Sequence, residues 1–140
     1  MKANKNRKKF GRIIYFILAS LFTVCIITQF YLAGVATFLD AGAWMKHMMF
    51  VHLFGFHLPI FMLIVALIGA LPRQTFLQLF GVFVSIFLMY FTANMNSIAP
   101  WVGPLHVIIA IFLFTLSCVI VFSSWKIIFY NQKFEKDEEQ

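Results

Sequence analysis

Four long apolar runs, at about 13–39, 44–71, 76–94 and 102–130, are separated only by short polar breaks. Each reaches the ~18–20 residues that an α-helix needs to cross about 30 Å of hydrocarbon. In lipid a spanning segment must satisfy its own backbone N–H and C=O groups, which leaves helices and closed barrels. Barrel strands are about half this length and alternate in polarity, and these runs do neither. The breaks are turn chemistry: 40-DAGA-43, 71-LPRQT-75 with Pro72 as a helix stop, and 94-NMNSIAPWVGP-104, where Asn94 and Asn96 read as turn residues. Short connections force neighbouring helices to run antiparallel. The predicted fold class is therefore all-α: an integral membrane, up-down-up-down four-helix transmembrane bundle. Residues 1–12 form a basic tail, 13–130 the transmembrane domain and 131–140 a charged tail.

Composition excludes the alternative of a soluble domain. The chain is 62% hydrophobic and 11% charged, against about half apolar and about a quarter charged in soluble proteins. The first run is too long for the apolar core of a cleaved signal peptide and carries Gln29, so it is read as a retained helix.

Charge sets the orientation. Lys2, Lys5, Arg7, Lys8, Lys9, Arg12, Arg73, Lys126, Lys133 and Lys136 fall on one side of the bundle, and Lys46 alone on the other. Lys and Arg concentrate on the cytoplasmic side. The expectation is a multi-pass protein of the cytoplasmic (plasma) membrane with both termini cytoplasmic and the lipid bilayer as its surroundings. A basic cluster beside an apolar run speaks for orientation; with no nucleic-acid-binding motif, no nucleic-acid partner is expected. Cys25 and Cys118 lie at different depths, form no CxxC pair, and read as unpaired, buried structural thiols.

The chemistry-bearing residues gather at the outer ends of the second and fourth helices. The stretch 44-WMKHMMFVHLFGFHLP-59 carries His47, His52 and His57, and 101-WVGPLHVII-109 carries His106. Ionisable groups inside a membrane are costly and face the bundle interior, so each is a functional candidate; for a single histidine near a helix end, a hydrogen bond to a neighbouring carbonyl explains it as well. The pair is the stronger signal. His106 is about 20 residues from Lys126 and His52 about 19 from Leu71, which places both roughly 28–30 Å above the inner boundary. The second and fourth helices lie diagonally and run in the same direction, so His52 and His106 could grip one planar cofactor or metal from opposite sides. His47, roughly 36 Å up, is the alternate ligand. Steps of five residues turn a helix by about 140°, so the three histidines of the second helix do not share a face. Pro59 removes a hydrogen bond to the Gly55 carbonyl and predicts a kink between His52 and His57.

Gln29 lies about 25 Å up the first helix, in the same layer. It reads either as a group that orients a ligand histidine or as a plain interhelical hydrogen bond. Met45, Met48 and Met49 beside His47 suit copper(I), and equally suit ordinary packing. No nucleophile–base pair, phosphate-binding glycine loop or paired carboxylates occur, so no catalytic residue is assigned and the sequence points away from an enzyme.

The pieces 29-QFYLAG-34, 47-HMMFVHLF-54, 66-ALIGALPR-73, 92-TAN-94 and 105-LHVIIAIFLF-114 resemble a family of small bacterial four-helix membrane proteins of unknown function. More distantly, the pattern is similar to one half of haem A synthase, in which histidines on the second and fourth helices bind haem near the outer face. That resemblance matches His106 and either His47 or His52. It departs where an Arg is expected after the second-helix histidine: Met48 follows His47 and Leu53 follows His52. The chain also has one such half rather than two, and lacks the acidic residue of a catalytic half, so synthase activity is not carried over.

The functional expectation is haem b held in the outer half of the bundle for electron transfer or haem handling. His52 and His106 are the haem-iron ligands, His47 the alternate and Gln29 a supporting residue, and the chain works with a membrane redox or haem-pathway partner. Two alternatives stand beside it: a non-catalytic scaffold or accessory subunit with structural histidines, and a metal or proton pathway along His47, His52 and His57.

Overall fold

The computed structural model describes residues 2–95 and 98–137. Asn96 and the acidic residues Glu138 and Glu139 lie outside them. The described residues form five α-helices: α1 (Lys2–Phe38), α2 (Ala43–Phe54), α3 (His57–Ile68), α4 (Arg73–Met95) and α5 (Gly103–Asp137), the last led in by a 3-10 turn at Pro100–Val102. Four spans are long and apolar enough to cross a membrane, with α2 and α3 together making the second, Ala43–Ile68. The molecule is an all-α four-helix bundle of multi-pass membrane type.

Neighbouring helices pack in a square. α1 lies against α2, α3 and α5, and α4 against α3 and α5. Among the described residues α1 and α4 make no close approach, nor does α5 to α2 or α3. The histidine-bearing helices α2 and α5 are thus diagonal partners facing each other across the bundle axis. An even number of spans brings both termini to one end, the terminal end. α1 and α5, at 37 and 35 residues, are far longer than the 23-residue α4, and at about 1.5 Å per residue both project beyond the bundle there.

The second span is interrupted between His52 and His57. Gly55 N–H still donates to the Val51 carbonyl, and the next turn restarts with Ile60 N–H to Phe56. Pro59 brings no N–H for the Gly55 carbonyl, which removes one rung of the ladder. A side chain on Gly55 would meet the Val51 carbonyl at 2.6 Å, so the break is tight enough to require glycine.

The buried core runs through the middle and the terminal end. Tyr15, Phe22, Met62, Leu79, Val82 and Ile120 are almost completely enclosed. Three buried serine hydroxyls are satisfied within their own helices: Ser85 donates to the Gly81 carbonyl, Ser117 to Phe114 and Ser124 to Ile120, each at 2.7 Å. That suits a membrane interior, where an unpaired polar group costs more than in water. Outward-facing Phe, Leu, Ile and Val form the surface for lipid. Cys25 is buried as expected, but Cys118 is exposed. It follows Ser117, which points inward, and about 100° of helical rotation carries the next residue to the outer surface.

α3 ends in a tight cap. Gly69 donates to Val65, Ala70 to Leu67 and Leu71 to Ala66, so the last carbonyls are taken up by the turn itself. Ala70 holds the left-handed position at φ 47°. The same turn touches α1: a side chain on Gly11 would lie 2.6 Å from Gly69 Cα, so the two backbones meet through glycine.

Candidate functional site: a histidine-lined cavity

At the opposite end the core gives way to a cavity of about 400 Å³. All four spans contribute to its wall: Phe22, Ile26 and Gln29 from α1, His47 and His52 from α2, Met89 and Tyr90 from α4, His106 and Ala110 from α5. The volume lies in the range of about 300–1,000 Å³ typical of small-molecule and cofactor pockets, and the mix of many apolar walls with a few polar groups is typical too. His47, His52, His106 and Gln29, separated by up to 77 positions in the chain, share this one space. His57 does not line it; it is exposed at the start of α3.

The ring orientations follow from simple donor–acceptor logic. Nδ1 of His47 lies 3.3 Å from the main-chain carbonyl of Gln29. Nδ1 of His106 lies 3.0 Å from the carbonyl of Met89. A carbonyl only accepts, so Nδ1 carries the proton in both rings, and in the neutral imidazole Nε2 is left with a free lone pair. Thr92 Oγ1, 3.4 Å from Nδ1 of His106, has its own hydrogen committed to the Leu88 carbonyl at 2.8 Å and so acts as a further acceptor. His47 and His106 line the same cavity from diagonal helices. Trp44 packs edge-on against the His47 ring with centroids 5.6 Å apart, which holds it from the outside.

His52 is placed differently. Its Nδ1 meets Tyr90 Oη at 3.1 Å, and the residue is exposed. A phenol both donates and accepts, so this contact leaves either ring nitrogen free to carry the proton. Tyr90 also stacks on Phe56, centroids 5.5 Å apart, which anchors the break in the second span to α4.

Gln29 supports His47 by an unexpected route. Its main-chain carbonyl, not its amide side chain, receives the imidazole proton. The side-chain Nε2 donates to the carbonyl of His47 at 3.0 Å, so the two residues clasp each other and join α1 to α2. This leaves Gln29 Oε1 buried with no hydrogen-bond partner. The three methionines near His47 are all exposed, and of them Met48 also borders the cavity. Among the described residues no group of three or more His, Cys, Asp or Glu is arranged to hold a metal ion.

Tyr90, Thr92 and the Met89 carbonyl were not singled out from the sequence. The depth argument that found Gln29 would have found Tyr90, about 17 residues and about 25 Å from Arg73. A main-chain carbonyl carries no side-chain signature, so Met89 had none to give.

No curated protein matches the chain, and no solved structure does. The window from Gln29 to Met95, which takes in Gln29, His47, His52 and Tyr90 and stops short of His106, is similar to a family of unknown function (DUF6220) over residues 29–95.

Proposed function

We propose that this membrane protein holds a b-type haem in the cavity between α1, α2, α4 and α5, with His47 and His106 as the axial pair. One observation carries the reading. Two imidazoles on diagonal helices line one cavity, each with Nδ1 tied to a main-chain carbonyl and Nε2 left as the free lone pair. Metal-ligating histidines carry just such a second bond, which fixes the tautomer and raises ligand basicity. Two ligands suffice for haem iron, so the donor set fits this group although it fits no three-residue metal site. The expectation from the sequence paired His52 with His106. His47 is preferred because its tautomer is fixed by a carbonyl, whereas His52 is exposed and shares its Nδ1 with a phenol. The distant likeness to one half of haem A synthase supports histidines on these two helices.

Haem with two imidazole ligands supplies a one-electron couple and no open iron position. The chain's own part is to hold both rings through Nδ1, leave Nε2 uncommitted, and exclude water with Phe22, Ile26 and Ala110. That arrangement suits electron transfer or haem handling with a membrane redox or haem-pathway partner, and assigns no catalytic residue. The cytoplasmic membrane, with both termini on the cytoplasmic side, is the placement that the Lys and Arg distribution supports.

A second reading, a scaffold with structural histidines, is favoured by the Gln29–His47 clasp and the His106–Met89 bond. Each joins two helices directly. It leaves the cavity and the unpaired Gln29 Oε1 without a purpose. An absorption spectrum of the purified protein, expressed with haem supply and recorded oxidised and reduced, separates the two. A Soret band that shifts on reduction, lost in His47→Ala and in His106→Ala but kept in His52→Ala, is expected. A spectrum flat above the protein band even after haem is added would leave the structural reading standing.

A further inference from the structure

The terminal end carries a second set of unmet polar groups, independent of the cavity. Arg12 Nε is buried and has no hydrogen-bond partner among the described residues, and neither does Tyr15 Oη. Tyr15 is only 1% exposed. The two residues are three apart on α1, and side chains at that spacing are neighbours on one helix face. Both unmet groups are N–H or O–H donors.

Among the described residues, the acceptors nearest these protons are engaged elsewhere. Gly11 seats α1 on Gly69, which brings Arg12 level with the last turn of α3. The Val65, Ala66 and Leu67 carbonyls of that turn already accept from Gly69, Leu71 and Ala70. Asp40, the only acid before residue 130, lies at the other end of α1, where it accepts from Gly42 N–H at 2.8 Å. Arg12 is about 26 residues, or about 39 Å, from Phe38, so it stands at the level of the helix ends, where phospholipid headgroups lie.

The geometry points to a second binding site at Arg12 and Tyr15 for a phosphate oxyanion, supplied by an anionic phospholipid headgroup or by a soluble phosphate. A guanidinium offers a planar fork of donors that matches phosphate, and basic pockets between membrane helices take such groups. Tyr15 Oη supplies the third donor from one turn deeper. The site is separate from the general basic character of the N-terminal segment: Lys9 is exposed, while Arg12 is held against the bundle.

Native mass spectrometry of the detergent-purified full chain tests it, with phosphatidylglycerol and phosphatidylcholine of matched acyl chains, and separately with inorganic phosphate. The expected result is one retained phosphatidylglycerol, preferred over phosphatidylcholine and persistent in added salt. Arg12→Gln weakens it about tenfold, the scale of one charge-assisted hydrogen-bonded contact. Arg12→Lys, which keeps charge but loses the fork, and Tyr15→Phe each weaken it about threefold. Lys9→Gln leaves it unchanged. Saturable, Arg12-dependent binding of inorganic phosphate, with no preference between the lipids, supports the same site with a soluble occupant. Equal retention of both probes by the wild type and by Arg12→Gln, with unchanged helical circular dichroism, overturns the proposal.

Discussion

At the cavity end of the bundle the uncommitted polar groups accept hydrogen bonds; at the terminal end they donate them. His47 and His106 line the cavity with Nε2 as a lone pair, and Gln29 Oε1 beside them is a buried acceptor with no partner among the described residues. Arg12 Nε–H and Tyr15 O–H are protons held among packed helices. Buried polar groups are normally satisfied, so a cluster of like-signed exceptions identifies the ligand chemistry a site lacks. Lone pairs call for a metal centre or a hydrogen-bond donor. Protons beside a guanidinium call for an oxyanion. The ends differ in packing as well: one has a cavity of about 400 Å³, while the other brings two backbones into glycine–glycine contact.

The largest expected effect would break the comparison at the cavity end. If the proposed haem is held, His106→Ala or His47→Ala removes the paired-imidazole spectrum, because a single imidazole would leave an iron position open, and His52→Ala leaves the band positions unchanged. Loss of the spectrum in His52→Ala but not in His47→Ala would move the ligand assignment one and a half turns along α2.

The next effect lies at the terminal end. Gly11→Val places a side chain where only 2.6 Å separates the new Cβ from Gly69 Cα, and that neighbour is backbone. Overpacking of this kind costs about 1–3 kcal/mol. Thermal unfolding in detergent, followed by circular dichroism, should shift down by that amount while the haem spectrum of the folded fraction is unchanged. A spectrum that changes too would show that the two ends are mechanically coupled.

Smaller effects sharpen the contrast. Ala70→Gly relieves a left-handed backbone conformation at φ 47° and should stabilise the chain by about 1 kcal/mol in the same melt. Gln29→Met removes the side-chain bond to the His47 carbonyl but keeps the main-chain carbonyl that holds Nδ1. It should cost about 0.6 kcal/mol, the usual worth of a hydrogen bond between membrane helices, and retain both axial ligands. Loss of haem in Gln29→Met would assign the side chain, rather than the main chain, the task of orienting His47.

Much of this architecture was legible in one dimension because lipid imposes it. Runs long enough to span, with polar breaks between them, demand helices, and short breaks demand antiparallel neighbours. Depth was legible for a similar reason. A constant rise per residue placed Gln29, His52 and His106 in one layer, and all three line the cavity. Facing was harder to read. Pro59 signalled a kink in the second span, but which way His52 and His57 turn around it depends on the packing of Gly55 against Val51 and of Phe56 on Tyr90.

The sequence by itself determined the solvent, the number of spans, their antiparallel order and the shared layer of His52 and His106, because hydrophobic length and helical rise are local properties. Only the tertiary structure decided that His47 joins them at the cavity and clasps Gln29 across α1 and α2, that the Met89 carbonyl fixes the tautomer of His106, and that Arg12 and Tyr15 are left without acceptors among the described residues. Those outcomes turn on which main-chain groups of one helix meet side chains of another. Main-chain groups are the same at almost every position, so their assignment carries no trace in the order of residues.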